Sequence, residues 1–219
     1  MRHDLIIFDC DGVLVDSEML AIRAMRDVLN AAGVPATEAL ILGCFGMKQV
    51  DTLTRVAEAT GQPIPADVPA KIWPATRTAF ETSLKAMPGI VPFLGATGGV
   101  ARCVASSSHP ERIRTSLDLT GLSGFFQGDH LFSSHAVARG KPAPDLFLLA
   151  ATRMGVAPGR CVVIEDSVFG ILGARAAGMA AYGFVGGAHI QPGHAASLTA
   201  AGALGIAADW PDLASRLAA

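Results

Sequence analysis

Four short apolar runs do most to limit what this chain can fold into: Leu5 to Phe8, Cys103 to Ala105 with its neighbours, Cys161 to Ile164, and Ala180 to Val185. Each is strand-length and continuous rather than alternating, and helical patterns separate them. That combination predicts strands buried on both faces of a parallel, doubly wound α/β sheet. Residues 18–32 place Ile22, Met25, Leu29 and Ala32 near helical spacing, with Ser17 as the expected N-cap and Gly33 as the stop. Pro144 opens another helix that Gly155 closes, and Ser167 opens a third that Gly178 closes. Between about residues 17 and 88 no buried strand is readable. Breaks at Gly33-Val-Pro35, Gly61-Gln-Pro63-Ile-Pro65 and Pro74 divide that interval into helices. The expected division is therefore an α/β core of residues 1–16 and 89–219 with an inserted α-helical subdomain of residues 17–88. The insertion follows the first strand, at the carboxyl edge where open α/β sheets bind ligands.

With 219 residues, 51% of them hydrophobic, the chain can bury a substantial core. Lys plus Arg number 17 against 19 Asp plus Glu, with no clustering of the basic residues, which argues against nucleic acid as a partner. Mean hydropathy is +0.42, yet charge, Pro or Gly interrupts every apolar stretch before the roughly 18 residues a membrane span needs. No membrane association is expected. The opening residues MRHDLIIFDCDG lack the pattern of a secretory signal, so the expected location is the cytoplasm. Cys10, Cys44, Cys103 and Cys161 are isolated and read as reduced, mostly buried thiols. Oligomeric state is not readable beyond a monomer or small homo-oligomer.

The chemistry sits where the apolar runs end. Asp9-Cys10-Asp11-Gly12 follows the first run and brings two carboxylates to a turn; alone, it equally describes an ordinary strand-end turn. Ser106-Ser107-Ser108 follows the second run, Lys141-Pro142-Ala143-Pro144-Asp145 precedes a helix, and Glu165-Asp166-Ser167 follows the third run. A parallel sheet carries such positions to one edge, gathering hydroxyls, an ammonium and several carboxylates in one crevice. Converging carboxylates raise one another's pKa unless positive charge lies among them. A divalent cation resolves that conflict, and an all-oxygen donor set favours Mg²⁺.

These motifs, in this order across the whole chain, resemble the haloacid dehalogenase-like superfamily, and within it the phosphatase and β-phosphoglucomutase branch with a helical cap. The stretches Asp11-Gly-Val-Leu-Val-Asp-Ser-Glu18 and Gly140-Lys-Pro-Ala-Pro-Asp145 share in the likeness. The resemblance implies that Asp9 is the nucleophile, Asp11 the general acid and base, and Lys141 the charge-neutralising group. It implies Ser106, with Ser107 beside it, as ligand of the phosphate oxygens. The metal would be held by Asp9, Asp166 and Glu165, and by Asp11 through its backbone carbonyl. Gly46-Met47-Lys48-Gln49 resembles the cap loop that selects substrate, making Lys48 and Gln49 substrate-binding candidates.

The expected activity is Mg²⁺-dependent hydrolysis of a small phosphorylated metabolite, a sugar phosphate or sugar-acid phosphate, through an aspartyl-phosphate. Phosphoryl transfer needs little more from a protein than an in-line nucleophile and positive charge around the moving oxygens. A hexose-phosphate mutase on the same fold is the alternative, with a catalytically inactive binding module behind it. Against the mutase, the histidine that branch carries twelve residues past the nucleophile is here Ala21, and its cap-loop arginine is Gln49. Asp11 also counts against dehalogenation, which has no oxygen leaving group to protonate. Asp16 reads as part of a hinge and His109 stays unassigned. His189 and His194, five apart in a loop, suggest a metal pair by residue type alone.

Overall fold

The computed structural model of the protein describes residues 3–218. After β1 (Leu5–Phe8) the chain runs through four helices, α1 (Glu18–Ala31), α2 (Glu38–Leu42), α3 (Gln49–Thr60) and α4 (Val68–Ser83). It continues through α5 (Ile90–Ala96), β2 (Ala101–Ser106), α6 (Pro110–Leu119), β3 (Leu131–Ser133), α7 (Asp145–Met154) and β4 (Cys161–Glu165). It finishes with α8 (Val168–Ala176), β5 (Ala180–Phe184), α9 (His194–Ala200), β6 (Gly205–Ala207) and α10 (Trp210–Ala218).

The strands form one parallel sheet in the order β3-β2-β1-β4-β5-β6. β1 lies between β2 and β4, pairing Leu5 with Ala101 and Cys161, and Phe8 with Val104 and Ile164. Every residue of β1 and β4 is buried, which is why their sequences are apolar without alternation. On one face Leu5, Ile7, Cys103, Cys161 and Val163 pack with Leu146, Phe147, Ala150 and Ile171 of α7 and α8. On the other, Phe8 meets Phe93, Phe126 and Trp210 edge-on or tilted at 6.0–6.1 Å. Two strands escaped the sequence reading. β3 and β6 are three residues long, and only one of the three residues in β6 is fully buried, so neither makes an apolar run.

The chain divides into a sheet unit, up to Asp16 and from Lys85 onward, and a helical unit, Ser17–Leu84. The expected boundary at residue 88 is thus four residues late. The amide of Asp16 donates to the Lys85 carbonyl and that of Met87 to the Leu14 carbonyl, so the returning chain already pairs with the sheet unit before Pro88. Within the helical unit α1 packs against α4, around Ile22, Leu29, Val34, Ile41, Leu53, Val56, Val68 and Ile72.

Two local expectations for this unit need correcting. Ser17 precedes α1 but has helical backbone angles and no capping side-chain bond; its carbonyl accepts from Ala21 instead. Pro74 does not break α4, which runs on through it. Ile72, Thr76 and Phe80 are all buried along that helix, and this packing outweighs the one backbone bond Pro74 cannot make. Among the described residues no helix is long and apolar enough to cross a membrane.

Candidate active site

β1 ends at Phe8, and the next residue, Asp9, donates its amide to the Ile164 carbonyl of β4, which fixes its backbone beside the end of that strand. Lys141, from the loop before α7, places Nζ 2.6 Å from Asp9 Oδ1 and 2.6 Å from Glu165 Oε1. The lysine side chain is 4% exposed and rests over the Phe147 ring. Burial works against its charge, but Asp9 and Glu165 outweigh burial and hold the ammonium above its ordinary range. Glu165 is fully engaged, because its Oε2 accepts from the amide (2.7 Å) and hydroxyl (2.9 Å) of Ser167. That same hydroxyl caps α8 by accepting from the Gly170 amide. Gly170 is required there, since a Cβ would fall 1.8 Å from Glu165 Oε1.

Asp9, Glu165 and Asp166, all buried, offer carboxylate oxygens within 4.8 Å of one another. Burial, joined by Glu165 and Asp166 and opposed by Lys141, pushes the Asp9 carboxyl well above the usual carboxylate range. One ammonium does not balance three carboxylates. A hard divalent cation fits this donor set, which is all oxygen and short of positive charge.

Asp11 is not in that cluster. The turn after β1 is closed by the Gly12 amide on the Val15 carbonyl, and Gly12 has φ +75°. The turn carries the Asp11 carboxylate away from Asp9 to Ser108 and Arg112. Ser108 Oγ donates to Asp11 Oδ2 at 2.6 Å, and Arg112 reaches Oδ1 through Nη2 at 2.7 Å and Nε at 3.2 Å. The metal role expected of Asp11 is through its backbone carbonyl, while its carboxylate is bonded to Ser108 and Arg112. Ser106 ends β2 with 1% exposure, and its Oγ accepts the amide of Ser108, drawing the loop tight; Ser133 of β3 adds a bond to the Ser108 carbonyl. Ser107 is exposed on that loop.

Arg112 and Ser108 were missed as site residues. The readable clue was Arg112 in the first turn of the helix that follows the serine run, where its side chain can reach back to the sheet edge. Lys48 and Gln49 lie in the helical unit. Lys48 precedes α3 and is exposed, and Gln49 donates to the Pro69 carbonyl at 3.2 Å. His109 caps α6 by accepting from the Glu111 amide. His189 and His194 both turn to Asp166, at different atoms: His189 Nε2 is 3.0 Å from Asp166 Oδ2, whereas His194 Nε2 is 2.5 Å from the Asp166 backbone oxygen. All four cysteines are free and buried, and burial, then Asp11 and Asp9, raises the Cys10 thiol far out of the reactive range.

A parallel sheet whose central strand delivers a buried, lysine-held aspartate into an acidic cluster places the protein in the Rossmann-like α/β class. Residues 3–178 match the haloacid dehalogenase-like hydrolases, and the chain belongs to that family, in a branch with several curated members named as phosphatases. It is 33% identical over 183 residues to the fructose-1-phosphate phosphatase YqaB of Escherichia coli, covering 81% of this chain and 94% of that protein. It is 28% identical over 193 residues to the 6-phosphogluconate phosphatase of the same organism, covering 87% and 86%. Among solved structures, a conserved haloacid dehalogenase-like protein of unknown function from Agrobacterium tumefaciens superposes with a TM-score of 0.85 at 39% identity. That match covers 99% of this chain and 98% of the other.

Proposed function

We propose that the protein is a Mg²⁺-dependent phosphatase that releases phosphate from a small sugar phosphate or sugar-acid phosphate through an aspartyl-phosphate on Asp9. The observation that carries this reading is Asp9 itself, a buried carboxylate held at 2.6 Å by Lys141 with Glu165 and Asp166 oxygens within 4.8 Å. Asp9 and Asp166 would hold the cation, with the backbone carbonyl of Asp11 and with Glu165, which is also bonded to Lys141 and Ser167. When bound, Mg²⁺ would supply positive charge to the phosphoryl oxygens. Lys141 adds its own and keeps Asp9 oriented.

Asp9 attacks phosphorus and forms an acyl-phosphate while the bond to the leaving oxygen breaks. Asp11 gives that oxygen a proton and afterwards takes one from the water that frees phosphate. To do so, Asp11 exchanges one of its bonds to Ser108 or Arg112 for the leaving oxygen. Ser106, at the strand end, is assigned to the phosphate oxygens. The substrate class draws support from the relatives named for fructose 1-phosphate and 6-phosphogluconate. Choice among such substrates is assigned to Lys48 and Gln49 on the family resemblance alone.

A panel of phosphorylated sugars and sugar acids tests this, with phosphate measured in Mg²⁺ and again in excess chelator. Release that chelator abolishes is expected, together with acid-stable ³²P on the wild-type chain and none on Asp9→Asn. Release unaffected by chelator would overturn the metal assignment, and label retained by Asp9→Asn the nucleophile. With β-glucose 1-phosphate and a trace of the bisphosphate, free phosphate should outpace glucose 6-phosphate. The reverse order would make the enzyme a mutase.

A further inference from the structure

The loop joining β5 to α9, with the first residue of α9, brings two imidazoles to a single acidic residue. His189 is 2% exposed, and its Nε2 lies 3.0 Å from Asp166 Oδ2. The ring occupies a slot that two glycines leave open: a Cβ on Gly12 would come 2.8 Å from His189 Cε1, and one on Gly187 2.6 Å from the same atom. A Cβ on Gly12 would also fall 1.8 Å from Asp166 Oδ2, so the Asp166 carboxylate and the imidazole share one tightly fitted space. The loop is fastened on both sides of the ring. Ala188 donates its amide to Asp16 Oδ1 at 3.3 Å, and His194 Nε2 sits 2.5 Å from the Asp166 carbonyl oxygen. A solvated loop histidine has no need of such a slot. Burying an imidazole costs free energy unless its polar edge meets a polar partner, and here Nε2 meets a carboxylate assigned to the metal, at contact distance rather than as an aligned hydrogen bond.

We propose that His189 is a positioning residue for the metal site. It holds the Asp166 carboxylate in the rotamer that brings an oxygen of Asp166 together with those of Asp9 and Glu165. The inference rests on the metal reading of Asp9 and Asp166 given above. His189 is not itself a ligand in it: among the described residues the oxygens that converge are those of Asp9, Glu165 and Asp166, and the imidazole meets Asp166 from outside that group. A partner that orients a ligating carboxylate is commonly worth about 10–100-fold in metal affinity.

The test is Mg²⁺ binding itself, by titration calorimetry on the full chain in the absence of substrate. His189→Ala should weaken Mg²⁺ at least about tenfold. His189→Gln, which keeps a side-chain N–H donor, should recover part of that loss. Melting of the metal-free proteins should differ much less than their Mg²⁺ affinities do. Asp166→Asn is the control for the underlying reading. If Asp166→Asn loses Mg²⁺ binding while His189→Ala binds within twofold of wild type, the inference about His189 is overturned and the metal site stands. If Asp166→Asn binds Mg²⁺ as wild type does, the metal reading fails and this inference with it. Should His189→Ala prove unfolded, His189→Gln decides alone: affinity unchanged from a His189→Leu variant of equal melting temperature overturns the role.

Discussion

The sheet unit and the helical unit carry their candidate residues in opposite ways. In the sheet unit Asp9, Glu165, Asp166 and Lys141 are buried, and Asp9, Lys141 and Glu165 are joined by direct bonds at 2.6 Å. In the helical unit Lys48 and Gln49 stand exposed, with the Lys48 carbonyl bonded to Thr52 and the Gln49 amide to the Pro69 carbonyl. Residues that must hold charge in low dielectric are locked by one another, so replacing one disturbs the rest. Exposed residues at a helix start carry no such debt to their neighbours. On the proposed function, the sheet unit would constrain the reaction, while selectivity assigned to the helical unit could drift at little cost to the fold.

The sharpest way to break this contrast is Asp9→Asn, for which kcat should fall by at least about 10⁴-fold. The metal-free variant should melt close to wild type, because relief among three crowded carboxylates offsets the ion pair lost to Lys141, which keeps Glu165. A destabilised Asp9→Asn would mean the cluster is a structural element. Next in size is Gly170→Ala. Helix propensity alone favours alanine by about 0.5–1 kcal/mol, yet the added Cβ must displace the Glu165 carboxylate from Lys141. A loss of roughly 10²-fold in kcat with little change in KM is expected; unchanged kcat would show that Glu165 does not orient the lysine.

Lys48→Ala should leave kcat within about twofold and raise KM for the best substrate by up to about fivefold, the worth of one exposed charge on an anion. If KM does not move, selectivity lies elsewhere. The smallest effect on chemistry belongs to Pro74→Ala. Restoring the missing backbone donor inside α4 should stabilise the helical unit by about 1–2 kcal/mol, read as a higher melting temperature with phosphate release unchanged. A change in kcat there would tie the two units more closely than this contrast allows.

The central strands were legible because burial on both faces leaves no polar alternation to confuse the pattern, as in Leu5–Phe8 and Cys161–Glu165. Edge strands β3 and β6 were not, since three residues give no period to read. Pro74 misled for a related reason: local propensity argues for a break, and only the packing of Ile72, Thr76 and Phe80 overrides it. At the site, Asp9, Lys141, Glu165 and Asp166 could be gathered on paper because each abuts a strand end or helix start. The partners of Asp11 could not. Ser108 and Arg112 lie about a hundred residues away in the chain, and only the parallel pairing of β1 with β2 brings that loop beside the turn after β1.

The place of β1 in the sheet also sets an order of assembly. Leu5 pairs with Ala101 on one side and Cys161 on the other, so the strand leading to Asp9 gains its first neighbour only after the whole helical unit has been made, and its second only with β4. The helical unit closes its own core from residues 17–84 alone. Pairings so distant in sequence are slow to form, because chain entropy is lost before the contacts return it. A growing chain can thus present a folded helical segment early, while Asp9, Lys141 and Glu165 meet only once β4 has been made.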